Sequence, residues 1–185
     1  VSYDKLVTSI PLVDLISLTN ILSLGKRTLK SYKPRSSTTK VVHLGIKKII
    51  PEISNISWVY IPDPRTCVYR IGNYSFSSPY MTGSSTTAMS LYIELSDSSI
   101  DPINDSCEFM QANYQISRED IEVITYNCLN PAYVIFDSNH DINTKEIISA
   151  LKEYGIYTIG RYGSWDYISM EDSILMGQKL ADSMN

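Results

Sequence analysis

The chain has 185 residues, a formal net charge of −4 and 43% hydrophobic residues, which suits one sizeable globular core. The acidic balance gives no reason to expect a nucleic-acid partner, although Lys and Arg gather modestly between residues 26 and 40. No apolar run in the sequence is long enough to cross a bilayer. Three cysteines without C-x-x-C spacing favour reduced thiols, and therefore a cytoplasmic location, over a disulfide framework.

The N-terminal segment predicts a strand over residues 5–10 and then a helix. Pro11 suits the first helical turn, apolar residues recur at helical spacing as far as Leu22, and Gly25 marks the end. The chain begins with Val1 rather than Met, immediately before this strand. We therefore expect it to be a piece of a longer polypeptide. Residues 31–40 are polar and basic, which predicts a loop.

Strand patterns dominate the middle of the chain. They are KVVHLGIKKI, SWVYIP, CVYRIGNYSF and TAMSLYIELS, and IEVITYNCL follows a helix that Asp101-Pro102 opens and that runs to about Tyr114. In the fourth strand, apolar residues alternate with polar ones from Met89 to Leu95. Because several strands precede the next helix, the sequence predicts an α+β fold with a mixed, largely antiparallel sheet flanked by helices.

The C-terminal third predicts two further helices. Asn143 and Glu146 fit a capping box for a helix that Gly155 ends, and the strand IYTI then leads into Gly160. Ser169 starts an S-x-x-D pattern, which predicts the N-cap of a terminal helix whose Gly177 would allow a neighbour to approach closely. The sequence contains neither G-x-G-x-x-G nor a P-loop, so the chain has no dinucleotide-binding fingerprint of its own.

The stretch GRYGSWDYISMED is the strongest candidate binding site. A helix N-terminus offers unpaired N–H groups with a partial positive charge, and Arg161 just upstream adds a guanidinium that can grip phosphate. The alternative is a capped helix that follows a glycine turn and binds no ligand. Arg70 lies in a strand pattern, where it either faces solvent or lines a cleft. His43, in an apolar strand, is expected to lie in the core.

Residues 137–148 match the pattern of a calcium-binding loop only in part. Asp137, Asn139 and Asp141 have suitable spacing, but Ile142 and Ile148 occupy the positions that need Gly and Glu. The sequence therefore predicts no metal site there.

Five segments, taken together in chain order, resemble one family. They are YDKLVTSIPL, SWVYIPDPRTCVYRIGNYSFSSPYM, SLYIELSDSSIDPI, AYVIFD and GRYGSWDYISMEDSI. They resemble the C-terminal half of UDP-galactopyranose mutases and of their amine-oxidase-like and protoporphyrinogen-oxidase-like flavoprotein relatives. The last segment is the most specific.

The resemblance implies an N-terminal FAD domain that is missing from this chain. Residues 1–38 would be the exit from that domain with a helix and loop, 39–155 the substrate-binding sheet domain, and 156–185 the FAD-contacting strand, loop and helix. In the mutases, reduced FAD mediates the interconversion of pyranose and furanose forms of a UDP-sugar. The alternative within the resemblance is an FAD-dependent oxidase of amines or porphyrinogens, in which Arg70 would be held in a structural salt bridge.

The resemblance also assigns residue roles. Arg70, Tyr133, Arg161 and Tyr167 would bind the diphosphate of the substrate in one cleft. FAD would be contacted by Gly160, Arg161, Ser169, Met170 and Glu171. No residue of this chain is predicted to be catalytic, and the chain alone is expected to be inactive. Its expected partners are a nucleotide-sugar or other small-molecule substrate, the missing FAD domain, and a second copy if the terminal helix leaves an apolar face exposed.

Overall fold

The computed structural model describes residues 3–19, 34–83 and 85–184. The chain divides into two compact units. Unit 1 comprises Val1–Ser37 and Tyr133–Asn185, and unit 2 comprises Thr38–Ala132. The predicted three-part division into FAD-domain exit, substrate domain and FAD-contacting segment differs from these units and stays a prediction about the longer protein.

A five-stranded sheet dominates unit 2, and among the described residues its order is β3-β4-β5-β2-β6. The strands are β2 (Arg35–Ile46), β3 (Trp58–Tyr60), β4 (Val68–Asn73), β5 (Met89–Leu95) and β6 (Ile121–Ile135). β3 pairs antiparallel with β4, β4 with β5, and β5 with β2. The predicted α+β fold with a largely antiparallel sheet is confirmed.

Alternation along β5 explains how the sheet gains its core. The four apolar residues from Met89 to Leu95 are all buried, together with Met110 of helix α4 (Pro102–Tyr114), which covers this face. As predicted, Asp101 caps α4, accepting a hydrogen bond from the Asn104 N–H at 3.1 Å. Short helices α2 (Pro51–Ser54) and α3 (Tyr74–Ser77) connect strands, and 3₁₀ turns lie at Pro79–Thr82 and Arg118–Asp120.

The predicted loop over residues 31–40 is wrong from residue 35 onward. β2 begins at Arg35 and its register pairs Lys40 with Leu95 of β5. The Lys40 ammonium donates to the carbonyl oxygens of Asp97 and Ser99 at 3.0 and 2.6 Å. β2 lies between β5 and β6 in the sheet, so it is pairing with strands distant in the sequence, and not local composition, that makes this segment a strand.

Unit 1 is built around a parallel pair, β1 (Leu6–Thr8) and β7 (Ile156–Thr158). Helices α1 (Leu12–Thr19) and α5 (His140–Glu153) bury Leu12, Leu15, Ile147 and Leu151 around Trp165. The predicted continuation of α1 to Leu22 and its end at Gly25 lie outside the described residues.

Helix α5 begins earlier than its sequence pattern indicates. The Asp137 carboxylate accepts a hydrogen bond from the Asn139 N–H at 3.0 Å, and the Asp137 carbonyl accepts one from the His140 N–H at 3.1 Å. This turn starts the helix at His140 with Asn139 as N-cap. Asn143 therefore lies within the first turn, and the predicted capping box with Glu146 is wrong.

The chain ends with α6 (Gly160–Gly163) and α7 (Met170–Met184). The predicted cap of α7 is present: the Ser169 hydroxyl accepts from the Asp172 N–H at 3.1 Å, and the Asp172 carboxylate accepts from the Ser169 N–H at 2.9 Å. Hydrogen bonds from Ser169 hold the pKa of the Asp172 carboxyl below its usual value. None of the described residues of α7 is buried, and Met170 is 86% exposed.

Neither a membrane-spanning helix nor a metal-binding group of side chains is found among the described residues. No helix in residues 3–19, 34–83 and 85–184 has the length and apolarity needed to cross a membrane. Within the same ranges, no group of three or more His, Cys, Asp or Glu side chains is placed to hold a metal ion.

Gly155 and Gly177 form a matched pair for alanine substitution. Gly155 has φ +72° between α5 and β7, and an added Cβ would lie 2.8 Å from the Asp4 carbonyl oxygen. We expect Gly155→Ala to destabilise the chain by roughly 1–3 kcal/mol, since a non-glycine residue is strained there. An added Cβ at Gly177 meets nothing within 4 Å, so the predicted close approach of a neighbour is absent among the described residues. Gly177→Ala should stabilise by up to about 1 kcal/mol. Urea unfolding measures the stability of both variants. Equal changes in the free energy of unfolding would contradict the different backbone environments of Gly155 and Gly177.

Asp120 makes the stability of unit 2 depend on pH. Its carboxylate contacts the Lys48 ammonium at 2.8 Å and accepts bonds from the Ser117 hydroxyl and N–H, and the Lys48 bond above all lowers its pKa from 3.8 to about 2. The stabilisation is therefore present above pH 4 and lost as the pH falls toward 2. Asp120→Asn should lower the urea midpoint at pH 6 but not at pH 2. Lys48→Gln, which removes the other partner of the ion pair, should show the same pH dependence. An Asp120→Asn chain whose urea midpoint is still lowered at pH 2 would refute the stabilising role of the Asp120 carboxylate.

Candidate functional site

Three of the predicted substrate-binding residues meet in unit 1. The Arg161 guanidinium carbon lies 4.1 Å from the centre of the Tyr167 ring and 5.5 Å from that of Tyr133, and the two ring centres are 6.2 Å apart. We call Arg161, Tyr133 and Tyr167 the Arg161 cluster. Its geometry is that of a cation held by the faces of two phenols, which attract positive charge.

The backbone on both sides of the cluster fixes Arg161. Gly160 has φ +74° and turns the chain from β7 into α6. Gly163 is buried, and an added Cβ there would lie 3.2 Å from the Thr8 carbonyl oxygen. Helix α6 therefore lies directly against the end of β1, which leaves Arg161 little freedom at its base. Tyr133 is placed by β6, whose next residue, Val134, is buried in the unit 1 core.

Arg161 carries a charge that no carboxylate of the described residues offsets. Among the described residues, no Asp or Glu oxygen lies within 4.0 Å of its guanidinium, and its buried Nε has no hydrogen-bond partner. A guanidinium presents a planar fork of N–H donors that matches phosphate and carboxylate oxygens. The cluster is therefore suited to an anionic group.

The turn between Arg161 and Tyr167 depends on Trp165. Trp165 has φ +55°, unusual for a residue with a side chain, and its indole is fully buried in the unit 1 core. The Asp166 N–H donates to the Arg161 carbonyl at 3.0 Å, closing the turn. The Trp165 carbonyl accepts a hydrogen bond from His140 Nε2 at 2.8 Å. Sequence reasoning missed this role of His140, because the two residues lie far apart in the chain.

The residues assigned to FAD by resemblance lie near the start of α7. Ser169, Met170 and Glu171 are exposed, and the Gly160 N–H contacts Met176 Sδ at 3.2 Å. The structure therefore brings Gly160 against α7, while the contact of these residues with FAD stays a prediction.

Arg70 lies in unit 2 and has a carboxylate partner. Its register on β4 places it opposite Glu94 of β5 and Tyr60 of β3. The guanidinium forms an ion pair with the buried Glu94 carboxylate and donates to the Tyr60 hydroxyl at 3.3 Å. The predicted convergence of Arg70 with Arg161 joins residues of two different units and stays a prediction.

A cavity of about 320 Å³ adjoins Glu94 in unit 2. His43, Tyr74, Tyr92 and Asn127 contribute to its lining. His43 is not a core residue as predicted: it is half-buried, and its ring nitrogens contact the Tyr74 hydroxyl and the Asn127 amide at 3.2 Å each. Burial raises the pKa of the Tyr74 phenol.

The fold of the chain is similar to that of parts of two solved structures. A reduced UDP-galactopyranose mutase superposes with a TM-score of 0.82 at 22% sequence identity, covering 100% of this chain and 41% of that one. The fold is shared. A protein assigned as a protoporphyrinogen oxidase from Exiguobacterium sp. 255-15 has a TM-score of 0.69 at 10% identity, covering 98% of this chain and 41% of that one. The resemblance inferred from the sequence is thus confirmed at the level of fold.

The chain spans 41% of the length of each of these two proteins. No family model matches the sequence.

Proposed function

We propose that this chain is the substrate-binding part of an FAD-dependent enzyme that resembles UDP-galactopyranose mutase. The observation that carries the proposal is the Arg161 cluster, in which a guanidinium without a carboxylate partner among the described residues contacts two neighbouring tyrosine rings. This cluster lies in a fold shared with the mutase. The proposed ligand is the diphosphate of a UDP-sugar.

The chemistry of a departing diphosphate suits the Arg161 cluster. Negative charge grows on the diphosphate oxygens as the bond to the sugar breaks, and a preorganised guanidinium stabilises that charge without reorientation. Arg161 would donate two parallel N–H bonds to phosphate oxygens, and the Tyr133 and Tyr167 hydroxyls would donate further bonds. These residues bind and orient the leaving group and exchange no proton with the sugar.

The start of α7 is the part of this chain that would contact the flavin ring. Met170 and Ile174 are exposed apolar side chains on its first turns, and the helix N-terminus beside them carries partial positive charge. Ser169, Met170 and Glu171, with Gly160 and Arg161, would hold FAD. When bound and reduced, FAD supplies the electron pair that displaces the diphosphate from the anomeric carbon.

Arg70 would provide the second grip on the diphosphate. Glu94 already balances its charge, so Arg70 would attract an anion less strongly than Arg161 does. Its contacts with Glu94 and Tyr60 hold the guanidinium in one orientation before any ligand arrives. The two arginines thus differ: Glu94 offsets the charge of Arg70, whereas no carboxylate within the described ranges offsets that of Arg161.

An FAD-dependent oxidase of amines or porphyrinogens is the second candidate. The observation that favours it is the Arg70–Glu94 ion pair, because a structural salt bridge at Arg70 is what such an oxidase predicts. Under this alternative the protein has no affinity for diphosphates.

The chain by itself should be inactive and prone to self-association. A site divided between this chain and an FAD domain is not preorganised in either piece, so the chain alone should be inactive. The exposed apolar residues of α7 would then favour self-association. The free thiols of Cys67, Cys107 and Cys128 agree with a reducing, cytoplasmic setting.

The test uses the longer polypeptide that joins this chain to its FAD domain. The flavin is reduced with dithionite, UDP is titrated, and UDP-galactopyranose is then supplied with product analysis by chromatography. Micromolar UDP binding that Arg70→Ala weakens, together with formation of the furanose, would support the mutase assignment. A folded, flavin-loaded protein that binds no UDP would overturn it, and oxidation of amines or porphyrinogens would then establish the oxidase.

A further inference from the structure

The His140 side chain joins the start of α5 to the Trp165 turn. The imidazole is only 5% exposed, and Nε2 lies 2.8 Å from the Trp165 carbonyl oxygen. Because a carbonyl only accepts, this contact requires a proton on Nε2. The other ring nitrogen, Nδ1, lies 2.9 Å from the Asp141 carboxylate, and the ring packs on Phe136 with centres 4.5 Å apart.

The carbonyl that His140 binds belongs to the peptide between Trp165 and Asp166. Rotation of that peptide would move Asp166 and, one residue later, Tyr167. Trp165 occupies a left-handed conformation that the local backbone does not favour. A buried hydrogen bond from outside the turn therefore helps to hold it, and leaving this buried carbonyl without a donor would favour its rearrangement.

We propose that His140 is a positioning residue for the Arg161 cluster: by binding the Trp165 carbonyl, it holds the turn that lays Tyr167 over the Arg161 guanidinium. Only the expected consequence, weaker anion binding when His140 is lost, rests on the proposed function. The geometric part stands on contacts within unit 1. Lowering of the Asp141 carboxyl pKa by its bond to His140 agrees with an imidazole held from both sides.

The test compares two variants of the full 185-residue chain. His140→Phe keeps an aromatic ring beside Phe136 but donates no hydrogen bond. His140→Gln retains an N–H at about the reach of Nε2 and serves as the rescue. Both are made in a Trp58→Phe background, so that fluorescence reports only Trp165. NMR of the Arg161 Nε–H group reports its place beside the two tyrosine rings, since aromatic rings shift nearby protons.

Three readouts are recorded at matched folded fraction, which circular dichroism establishes. In His140→Phe, we expect the Arg161 Nε–H signal to move toward that of an exposed arginine and Trp165 emission to shift to longer wavelength. When the same substitution is made in the longer, FAD-loaded polypeptide, binding of inorganic pyrophosphate should weaken about tenfold, because small misplacements of a binding group are costly. His140→Gln should restore most of each effect. A folded His140→Phe chain with an unchanged Arg161 signal would overturn the inference.

Failure of the proposed function would look different. If the longer, FAD-loaded polypeptide binds no pyrophosphate but His140→Phe still moves the Arg161 signal of the chain and His140→Gln restores it, then His140 positions the cluster and the anion proposal is wrong. If His140→Phe does not fold, His140→Asn replaces it, since the shorter amide does not reach the Trp165 carbonyl. An unchanged Arg161 signal in that variant would likewise overturn the inference.

Discussion

Replacing Arg161 with alanine is expected to weaken UDP binding to the FAD-loaded parent protein by roughly 10- to 100-fold. Charge-assisted hydrogen bonds contribute about 1.5–3 kcal/mol each, and Arg161 has no carboxylate partner among the described residues that would compete with the ligand. Isothermal titration with the flavin reduced measures the change. The UDP affinity of Arg161→Lys should fall between those of the unmodified protein and of Arg161→Ala, because an ammonium keeps the charge but loses the planar fork and the stacking on Tyr167.

Arg65 provides the matched control for that measurement. It is an exposed arginine of unit 2 that pairs with Asp63 at 2.7 Å, so Arg65→Ala removes the same charge from a residue that is not part of the cluster. We expect UDP affinity to be unchanged in Arg65→Ala at physiological salt. Equal affinities for Arg65→Ala and Arg161→Ala would show that the Arg161 cluster does not bind the diphosphate.

Replacing Trp165 with alanine is expected to lower the free energy of unfolding by about 3–5 kcal/mol. The indole is fully buried among Leu12, Leu15, Ile147 and Leu151, so its removal leaves a large cavity in the unit 1 core. Alanine has a Cβ and therefore meets the same backbone strain at φ +55°. The loss thus reports on burial of the indole and not on the conformation of the turn.

Trp58→Ala is the control, since the Trp58 side chain is 54% exposed. We expect it to change the free energy of unfolding by about 0.5 kcal/mol or less. Urea unfolding followed by circular dichroism suits both variants, because it does not depend on tryptophan emission. A Trp165→Ala chain as stable as Trp58→Ala would contradict the packing described for unit 1.

The resemblance read from the sequence and the tertiary structure agree on part of the site. The motif GRYGSWDY, with the tyrosine of AYVIFD, pointed to Arg161, Tyr167 and Tyr133, and the structure brings these three side chains together. The oxidase alternative predicted a structural salt bridge at Arg70 but did not name Glu94 as the partner, because that contact joins two strands through their register. The role of each residue toward a ligand stays a prediction.

By itself, the sequence determined the elements whose causes are local. Alternation in β5, the Asp101 cap of α4 and the Ser169–Asp172 cap of α7 depend on neighbours within a few residues, and all three are present as predicted. Tertiary structure alone decided where β2 begins, that α5 starts at His140, and how Trp165 is held. In the first and last of these, the deciding partner is a strand or a side chain distant in the sequence. For α5, the Asp137 turn competes with a capping pattern equally close in sequence, and only the folded chain selects between the two.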